Sequence, residues 1–234
     1  MNATVTRLAA AALLGQKRVW ALLAFPLLLI ALAVVLRMFG LGADGYMLVS
    51  NVGYPILLPL VALLATSSVL GPEMEDGSVV YLLAKPVNRH TVVVSKFVVA
   101  WAATMVAGVA PIYAAGMILD PVFVNLSTAW TMGGIVAGTA YCALFIALSA
   151  FTRHAVVAGL LFVLIWEGML GGTLAGIAWV SVRQWGARLA SEFDGGVVAP
   201  DLPLAYALGA AAVLLVAGLW FAGDRLRSFQ LVGD

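Results

Sequence analysis

Residues 71–96 read GPEMEDGSVVYLLAKPVNRHTVVVSK and lie between two strongly apolar runs, 46–70 and 97–119. The stretch carries three of the 11 acidic residues, three of the 12 basic residues and one of the two histidines. The apolar runs on either side are long enough to cross a membrane as helices, which leaves the charged stretch exposed between two crossings. Charge concentrated in this way predicts that the loop binds a soluble partner.

The overall composition excludes a soluble domain. The chain is 64% hydrophobic and 10% charged, with a mean hydropathy of +1.08, whereas ordinary soluble chains are about 25% charged. A net charge of +1 without a basic stripe argues against nucleic acid. The single Cys142 lies inside an apolar run, and His90 and His154 fall in different loops, so no disulfide and no metal site is expected.

The apolar runs predict an all-α membrane protein. Crossing a hydrocarbon core of about 30 Å takes about 20 helical residues. Asn51, Pro55 and Pro59 interrupt the second run and predict a kink there, which membrane helices tolerate. The six predicted transmembrane helices are 19–36, 46–70, 97–119, 131–151, 155–178 and 204–222.

The distribution of lysine and arginine predicts the topology. Nine of these residues fall on one side of the six-helix arrangement and three (Arg37, Arg183 and Arg188) on the other. The positive-inside rule therefore places both termini in the cytoplasm and the chain in the cytoplasmic membrane. Residues 2–16 are weakly amphipathic and predict a helix lying in the cytoplasmic interface. The outer segment 179–203 is either a short surface helix or a plain loop.

The first half of residues 71–96 has the features of a short cytoplasmic helix. Pro72 suits the first turn, and three nearby acidic residues complement the helix dipole. Val79, Leu82 and Leu83 share one face at helical spacing, and Pro86 ends the helix. A solvated connector is the alternative, but a connector needs neither an acidic start nor an exposed leucine pair, so docking is preferred. The acidic residues are Glu73, Glu75 and Asp76.

The order of residues in this loop resembles that of permeases of type-2 ATP-binding-cassette (ABC) exporters. Those permeases share E-x-x-x-G-S/T, then LL, then P-V/I-S/N-R and a lysine; here the corresponding residues are Glu73 to Ser78, Leu82-Leu83, Pro86 to Arg89 and Lys96. The six spans, the interfacial first helix and the cytoplasmic termini are similar as well. Trp166-Glu167 and Ser181 to Trp185 look like segments of actinobacterial members.

The resemblance implies a transmembrane subunit that pairs with a cytoplasmic ABC ATPase and with a second permease, identical or related. Residues 73–83 would form a coupling helix, seated in a cleft of the ATPase, that transmits closure of the ATPase to the spans. This chain lacks the G-x-x-x-x-G-K-S/T phosphate loop, so we expect no enzyme activity and no cofactor here, with ATP and Mg²⁺ on the ATPase. The implied ATPase-coupling residues are Glu73, Glu75, Asp76, Gly77, Ser78, Leu82, Leu83, Pro86, Arg89 and Lys96.

Three residues inside the spans are candidates for a substrate pathway: Glu167, Asn51 and Tyr54. A carboxylate inside the membrane is costly, so Glu167 should face protein or water. Either it gates or contacts a substrate, or it is a packing group hydrogen-bonded to a neighbouring helix. Asn51 and Tyr54 are equally consistent with hydrogen bonds between helices. No arrangement of catalytic residues is recognisable.

Two other functions are compatible with parts of the sequence. A secondary transporter would use Glu167 for proton coupling, but it would require inverted repeats, and residues 1–118 do not resemble 119–234. A membrane scaffold would explain the docking loop but not the intramembrane acid. The expected function is therefore that of the permease subunit of an ATP-driven exporter, with membrane lipid around its spans. A hydrophobic drug, a peptide and a lipid-like molecule are all compatible with the apolar spans as substrates, and the sequence does not choose among them.

Overall fold

The computed structural model describes residue 7 and residues 18–75, 89–152, 154–171 and 175–228, which are mostly helical and form no β-strand. We number the main helices α1 to α7. They are α1 (Arg18–Met38), α2 (Val49–Leu57 continued by Leu58–Glu75), α3 (Arg89–Leu119), α4 (Val124–Phe151), α5 (Ala155–Leu170), α6 (Val182–Phe193) and α7 (Leu204–Ser228).

Four of these helices are long and apolar enough to cross a membrane. They are Val49–Leu70 of α2, all of α3, all of α4 and Leu204–Leu226 of α7. The apolar parts of α1 (Leu22–Met38) and α5 (Ala155–Leu170) are shorter. The prediction of an all-helical, multi-pass membrane protein is therefore confirmed, whereas the count of six spans stays a prediction.

Two helices begin earlier than the apolar runs predict. Helix α3 starts at Arg89 rather than at residue 97, and α4 starts at Val124 rather than at 131. Both added segments are more polar than the runs they extend, but neither contains proline or glycine, so the backbone continues as helix. Arg89 and Lys96 consequently lie on a helix instead of in the loop.

Helix α2 is π-helical in the region where the sequence predicts a kink. Val49–Leu57 is π-helical and contains Pro55, whose missing N–H interrupts a regular hydrogen-bond ladder. Further π-helical stretches lie in α3 (Met105–Val109) and α5 (Phe162–Leu170). Such stretches are rare and are found at functional sites more often than elsewhere. The π-helical parts of α2 and α5 contact each other.

Helix α4 is the centre of the bundle and packs against α2, α3, α6 and α7. Small residues on α4 allow close approach: an ideal Cβ placed on Gly133 would lie 2.5 Å from the Gly186 carbonyl oxygen of α6. Helix α7, by contrast, leaves most of its apolar surface exposed. That surface requires lipid or another protein chain.

Helix α6 is the helical alternative predicted for the outer segment. It begins after Ser181, and the buried residues along it include Val182, Trp185 and Ala190. Because this face packs on α4 and α7, α6 is part of the bundle rather than an isolated surface helix. The predicted interfacial helix 2–16 lies outside the described residues except for Arg7.

Candidate functional site

The most buried acidic side chain in the described part of the chain belongs to Glu167, in the π-helical part of α5. Its side chain is only 1% exposed. Oε2 accepts hydrogen bonds from Ser181 Oγ at 2.6 Å and from the Arg183 amide at 3.4 Å, while Oε1 accepts one from the Val182 amide at 2.9 Å. Glu167 therefore binds the start of α6 with both carboxylate oxygens.

This arrangement explains how a carboxylate is accommodated inside the protein. The first amides of a helix have no partner within the helix and carry partial positive charge. Glu167 accepts from two of them, so the desolvation cost of its carboxylate is offset by charge-assisted hydrogen bonds. Ser181 completes the cap, because its Oγ also accepts from the Gln184 amide at 3.3 Å.

Tyr54 connects α2 to the same point. Its side chain is 1% exposed, and its hydroxyl donates to the Arg183 carbonyl oxygen at 2.6 Å. Its ring lies 4.7 Å from the ring of Trp130 on α4, measured between centroids. We call the set formed by Tyr54, Glu167, Ser181 and the backbone of Val182 and Arg183 the polar junction; it joins α2, α5 and α6.

A cavity of about 640 Å³ lies beside the polar junction. Its walls come from the start of α2, from α4, from the end of α5, from α6 and from the segment before α7. The polar residues lining it are Tyr46, Ser50, Asn51, Arg183 and Gln184, and the larger apolar ones are Leu126, Trp130, Val198 and Pro200. We call it the Arg183 cavity. Its size lies within the range of small-molecule sites.

A family model described as "ABC-2 family transporter protein" matches residues 10–189. The match spans more than three quarters of the chain. This chain belongs to the ABC-2 transporter family. Its permease character, suggested above by the resemblance of residues 71–96, is thereby confirmed. No curated protein matches the permease.

The structure brings together the three residues of the permease predicted to line a pathway. Tyr54 and Glu167 belong to the polar junction, and exposed Asn51 lines the Arg183 cavity next to it. Glu167 and Tyr54 are buried and form hydrogen bonds between helices, as the packing interpretation predicts. A role in the substrate pathway also has a physical basis, because both residues hold α6 and α6 forms one wall of the cavity. Asn51 is the one with direct access to a molecule in the cavity.

Arg183 and Gln184 are part of this site but are not among the residues that the sequence predicts for it. A signal was available, because Ser181 to Gln184 fit the S-x-x-Q capping box that precedes many helices. The Gln184 side chain departs from that motif, since Nε2 donates to the Gly171 carbonyl oxygen at 3.0 Å. This bond ties the end of α5 to α6 on the cavity wall.

Two of the predicted coupling residues have described side-chain contacts. Lys96 is 2% exposed, and its Nζ donates to the Val69 carbonyl oxygen of α2 at 3.0 Å. Arg89 donates to the Leu226 carbonyl oxygen of α7 at 3.4 Å. Both residues therefore connect α3 to neighbouring helices. Glu73 and Glu75 lie in the last turn of α2. The prediction that Pro72 begins a separate helix is therefore wrong, because α2 continues through Pro72 to Glu75. The other six residues, Asp76, Gly77, Ser78, Leu82, Leu83 and Pro86, fall outside the described residues.

Tyr54→Phe tests the link between α2 and α6. The substitution removes only the hydroxyl that donates to Arg183, so we expect the free energy of unfolding to fall by about 1 kcal/mol. Reversible unfolding in mixed micelles measures the change. Tyr113→Phe is the control, because that side chain is 38% exposed and makes no hydrogen bond within the described ranges; equal losses for both variants would contradict the link.

Proposed function

We propose that this ABC-2 permease is the transmembrane subunit of an ATP-driven exporter. It moves a hydrophobic drug, a peptide or a lipid-like molecule out across the cytoplasmic membrane by alternating access. The observation that carries the proposal is the Arg183 cavity, which has the volume of a small-molecule site and is walled by helices of a chain belonging to a transporter family.

The energy for transport comes from a separate chain. ATP and Mg²⁺ bind to a cytoplasmic ABC ATPase, since the permease sequence has no phosphate loop. Residues 76–88, which include Asp76, Gly77, Ser78, Leu82, Leu83 and Pro86, dock in a cleft of that ATPase. The acidic end of α2, with Glu73 and Glu75, lies at the edge of the docking surface.

Movement of the docked loop reaches the membrane helices through α2 and α3. The loop connects the end of α2 at Glu75 to the start of α3 at Arg89. Near the loop, Lys96 on α3 is hydrogen-bonded to Val69 on α2, so the two helix ends move as one unit. The π-helical first part of α2, which carries Asn51 and Tyr54, provides the other end of this connection at the cavity.

The full transporter contains two permeases and six spans in each. Helices α1 and α5 also cross the membrane, in addition to the four longer helices. Both termini lie in the cytoplasm, as the distribution of basic residues predicts. The exposed apolar surface of α7 is covered by lipid and by the second permease, which is a second copy or a related chain.

In this proposal Glu167 positions α6 and does not carry protons. Both of its carboxylate oxygens already accept hydrogen bonds from the start of α6. A proton-coupling carboxylate has to gain and lose a proton during each cycle, which here would break the cap of α6. Asn51 and Arg183 are the residues that contact the substrate directly.

Reversing the charge of Glu73, Glu75 and Asp76 to lysine tests ATPase docking. We expect the triple variant to insert into the membrane normally but to lose co-purification with its ABC ATPase, because three attractive charges become repulsive. Pull-down from detergent extracts, followed by an ATPase assay, measures the loss. Asp201→Lys is the control: Asp201 is exposed and lies on the opposite side in the predicted topology. Unchanged co-purification of the triple variant would contradict docking here.

A further inference from the structure

We propose that the Arg183 cavity selects amphipathic anions, with the anionic head at Arg183 and the apolar part along Trp130 and Val198. This inference rests on the proposed function and narrows it, because it chooses one chemical class from the drugs, peptides and lipid-like molecules considered above. The inference is supported by the contacts of the Arg183 guanidinium, by the positions of the nearby carboxylates, and by the polar and apolar residues that line the cavity.

Arg183 differs from other arginines whose contacts the structure describes. Arg37 donates to the Leu119 carbonyl oxygen at 2.6 Å, and Arg188 forms an ion pair with Glu192 at 2.6 Å. The guanidinium of Arg183 forms no hydrogen bond and no ion pair within the described ranges, although its residue is only partly exposed. A guanidinium presents five N–H donors in a planar fork that matches a carboxylate or a phosphate.

The residues around the cavity leave this positive charge available. The described lining contains no acidic side chain. Glu167 lies behind the wall, and its oxygens accept from Ser181, Val182 and Arg183 itself. Asp194 lies near Tyr46, and its Oδ1 accepts from the Gly196 amide at 2.7 Å. The carboxylates close to the cavity are thus engaged by backbone amides. Neither forms an ion pair with the Arg183 guanidinium, although Glu167 and Arg183 attract each other electrostatically at longer range.

A second polar group points to the same ligand chemistry. Asn51 is exposed, lines the cavity, and its side-chain amide has no hydrogen-bond partner in the described part of the chain. Its NH₂ can donate to an anionic oxygen, as can the second N–H of the Gln184 amide. Together with Arg183, these groups form a set dominated by donors, which favours an acceptor-rich head.

The rest of the lining requires a larger molecule than a simple anion. A volume of about 640 Å³ is large enough for a drug-sized molecule, and an isolated phosphate would fill a small part of it. Leu126, Trp130, Val198 and Pro200 offer apolar surface beside the polar groups. An amphiphile with one anionic head places its apolar part on these residues, where burial contributes about 25 cal/mol per Å².

Direct binding to the full-length permease tests the inference without the ATPase. The protein is purified in a neutral maltoside detergent and titrated with dodecyl phosphate, with bound molecules counted by native mass spectrometry. We expect saturable binding of one molecule per chain. Arg183→Gln should weaken it by about 10-fold to 100-fold, since hydrogen bonds to charged groups contribute about 1.5–3 kcal/mol and 1.4 kcal/mol is tenfold.

Matched probes and variants separate this site from general charge attraction. Arg37→Gln removes an arginine from the same side of the predicted topology and should leave binding unchanged, and Arg183→Lys should retain part of it. Dodecyltrimethylammonium, with the same tail and a cationic head, should not compete, and inorganic phosphate should compete only weakly. Absence of dodecyl phosphate binding, equal binding by Arg183→Gln, or equal competition by either probe would overturn the inference.

The outcome is distinguishable from failure of the proposed function. Binding of dodecyl phosphate is measured on the permease alone, whereas ATP-driven export is measured on vesicles that contain both subunits. Binding without any ATP-dependent transport would leave the ligand class intact and reject the exporter. ATP-driven transport that is unchanged in Arg183→Gln would support the exporter and reject the ligand class.

Discussion

Glu167→Leu is expected to lower the free energy of unfolding by about 4 kcal/mol. The leucine cannot accept the hydrogen bonds from Ser181, Val182 and Arg183, and Ser181 and Val182 are almost completely buried. Each buried donor left without an acceptor costs about 1–3 kcal/mol. Reversible unfolding in mixed micelles measures the loss. Because α6 forms one wall of the cavity, we also expect this wall to shift and transport to fall.

Two further substitutions make the Glu167 prediction specific. Glu167→Gln keeps the shape and one acceptor oxygen, so its loss of stability should be about half as large, because its NH₂ replaces one acceptor with a donor. Glu192→Leu removes an exposed carboxylate whose ion-pair partner in the described part of the chain is Arg188 on the same helix, and should cost less than about 1 kcal/mol. Wild-type stability of Glu167→Leu would show that the carboxylate does not hold α6.

Glu167→Gln also separates the exporter from a proton-coupled transporter. In the exporter, the substitution weakens a structural cap and leaves transport dependent on ATP. In a proton-coupled transporter, it would abolish uptake driven by a pH gradient in vesicles without any ATPase. Full ATP-dependent transport by Glu167→Gln would remove the charge of this residue from the mechanism.

The sequence was most informative about features that depend on local composition. The apolar runs predicted a multi-pass helical protein, and the prolines in the second run predicted the irregular backbone of α2, because a missing N–H acts at its own position. The polar residues before residue 97 predict a loop, yet Lys96 is buried against the Val69 carbonyl. Its environment depends on α2, which composition does not reveal.

The candidate site was only partly predictable for a similar reason. Glu167 stands out because an acid inside an apolar run demands a partner. The partner is the start of α6, and a helix start offers backbone amides rather than a recognisable side chain. Arg183 looked like an ordinary charge of an outer loop; its position on a cavity wall follows from the packing of α6 on α4, which no spacing in the sequence expresses.

Gly186→Ala tests that packing and is expected to disrupt it. An ideal Cβ on Gly186 would lie 2.5 Å from the Gly133 carbonyl oxygen and 2.9 Å from the Ala137 Cβ, and it would also collide with the Tyr54 hydroxyl. Two of these atoms belong to the α4 backbone or lie next to it, so relief requires α6 to move away from α4. Overpacking costs about 1–3 kcal/mol, and loss of the polar junction adds to that, so we expect about 4 kcal/mol in total.

The displacement of α6 gives Gly186→Ala a signature that distinguishes it from a simple loss of stability. The same movement carries Arg183 away from Asn51, so binding of dodecyl phosphate should weaken together with stability. In a Tyr54→Phe background the collision with the hydroxyl disappears, while the collision with Gly133 remains. Gly186→Ala should therefore lower the free energy of unfolding in that background by a smaller amount, but still measurably. Gly209→Ala on α7 is the matched control, because no atom of another described helix lies within 4 Å of its ideal Cβ. Similar losses for both alanines would mean that close contact between α4 and α6 does not build the cavity.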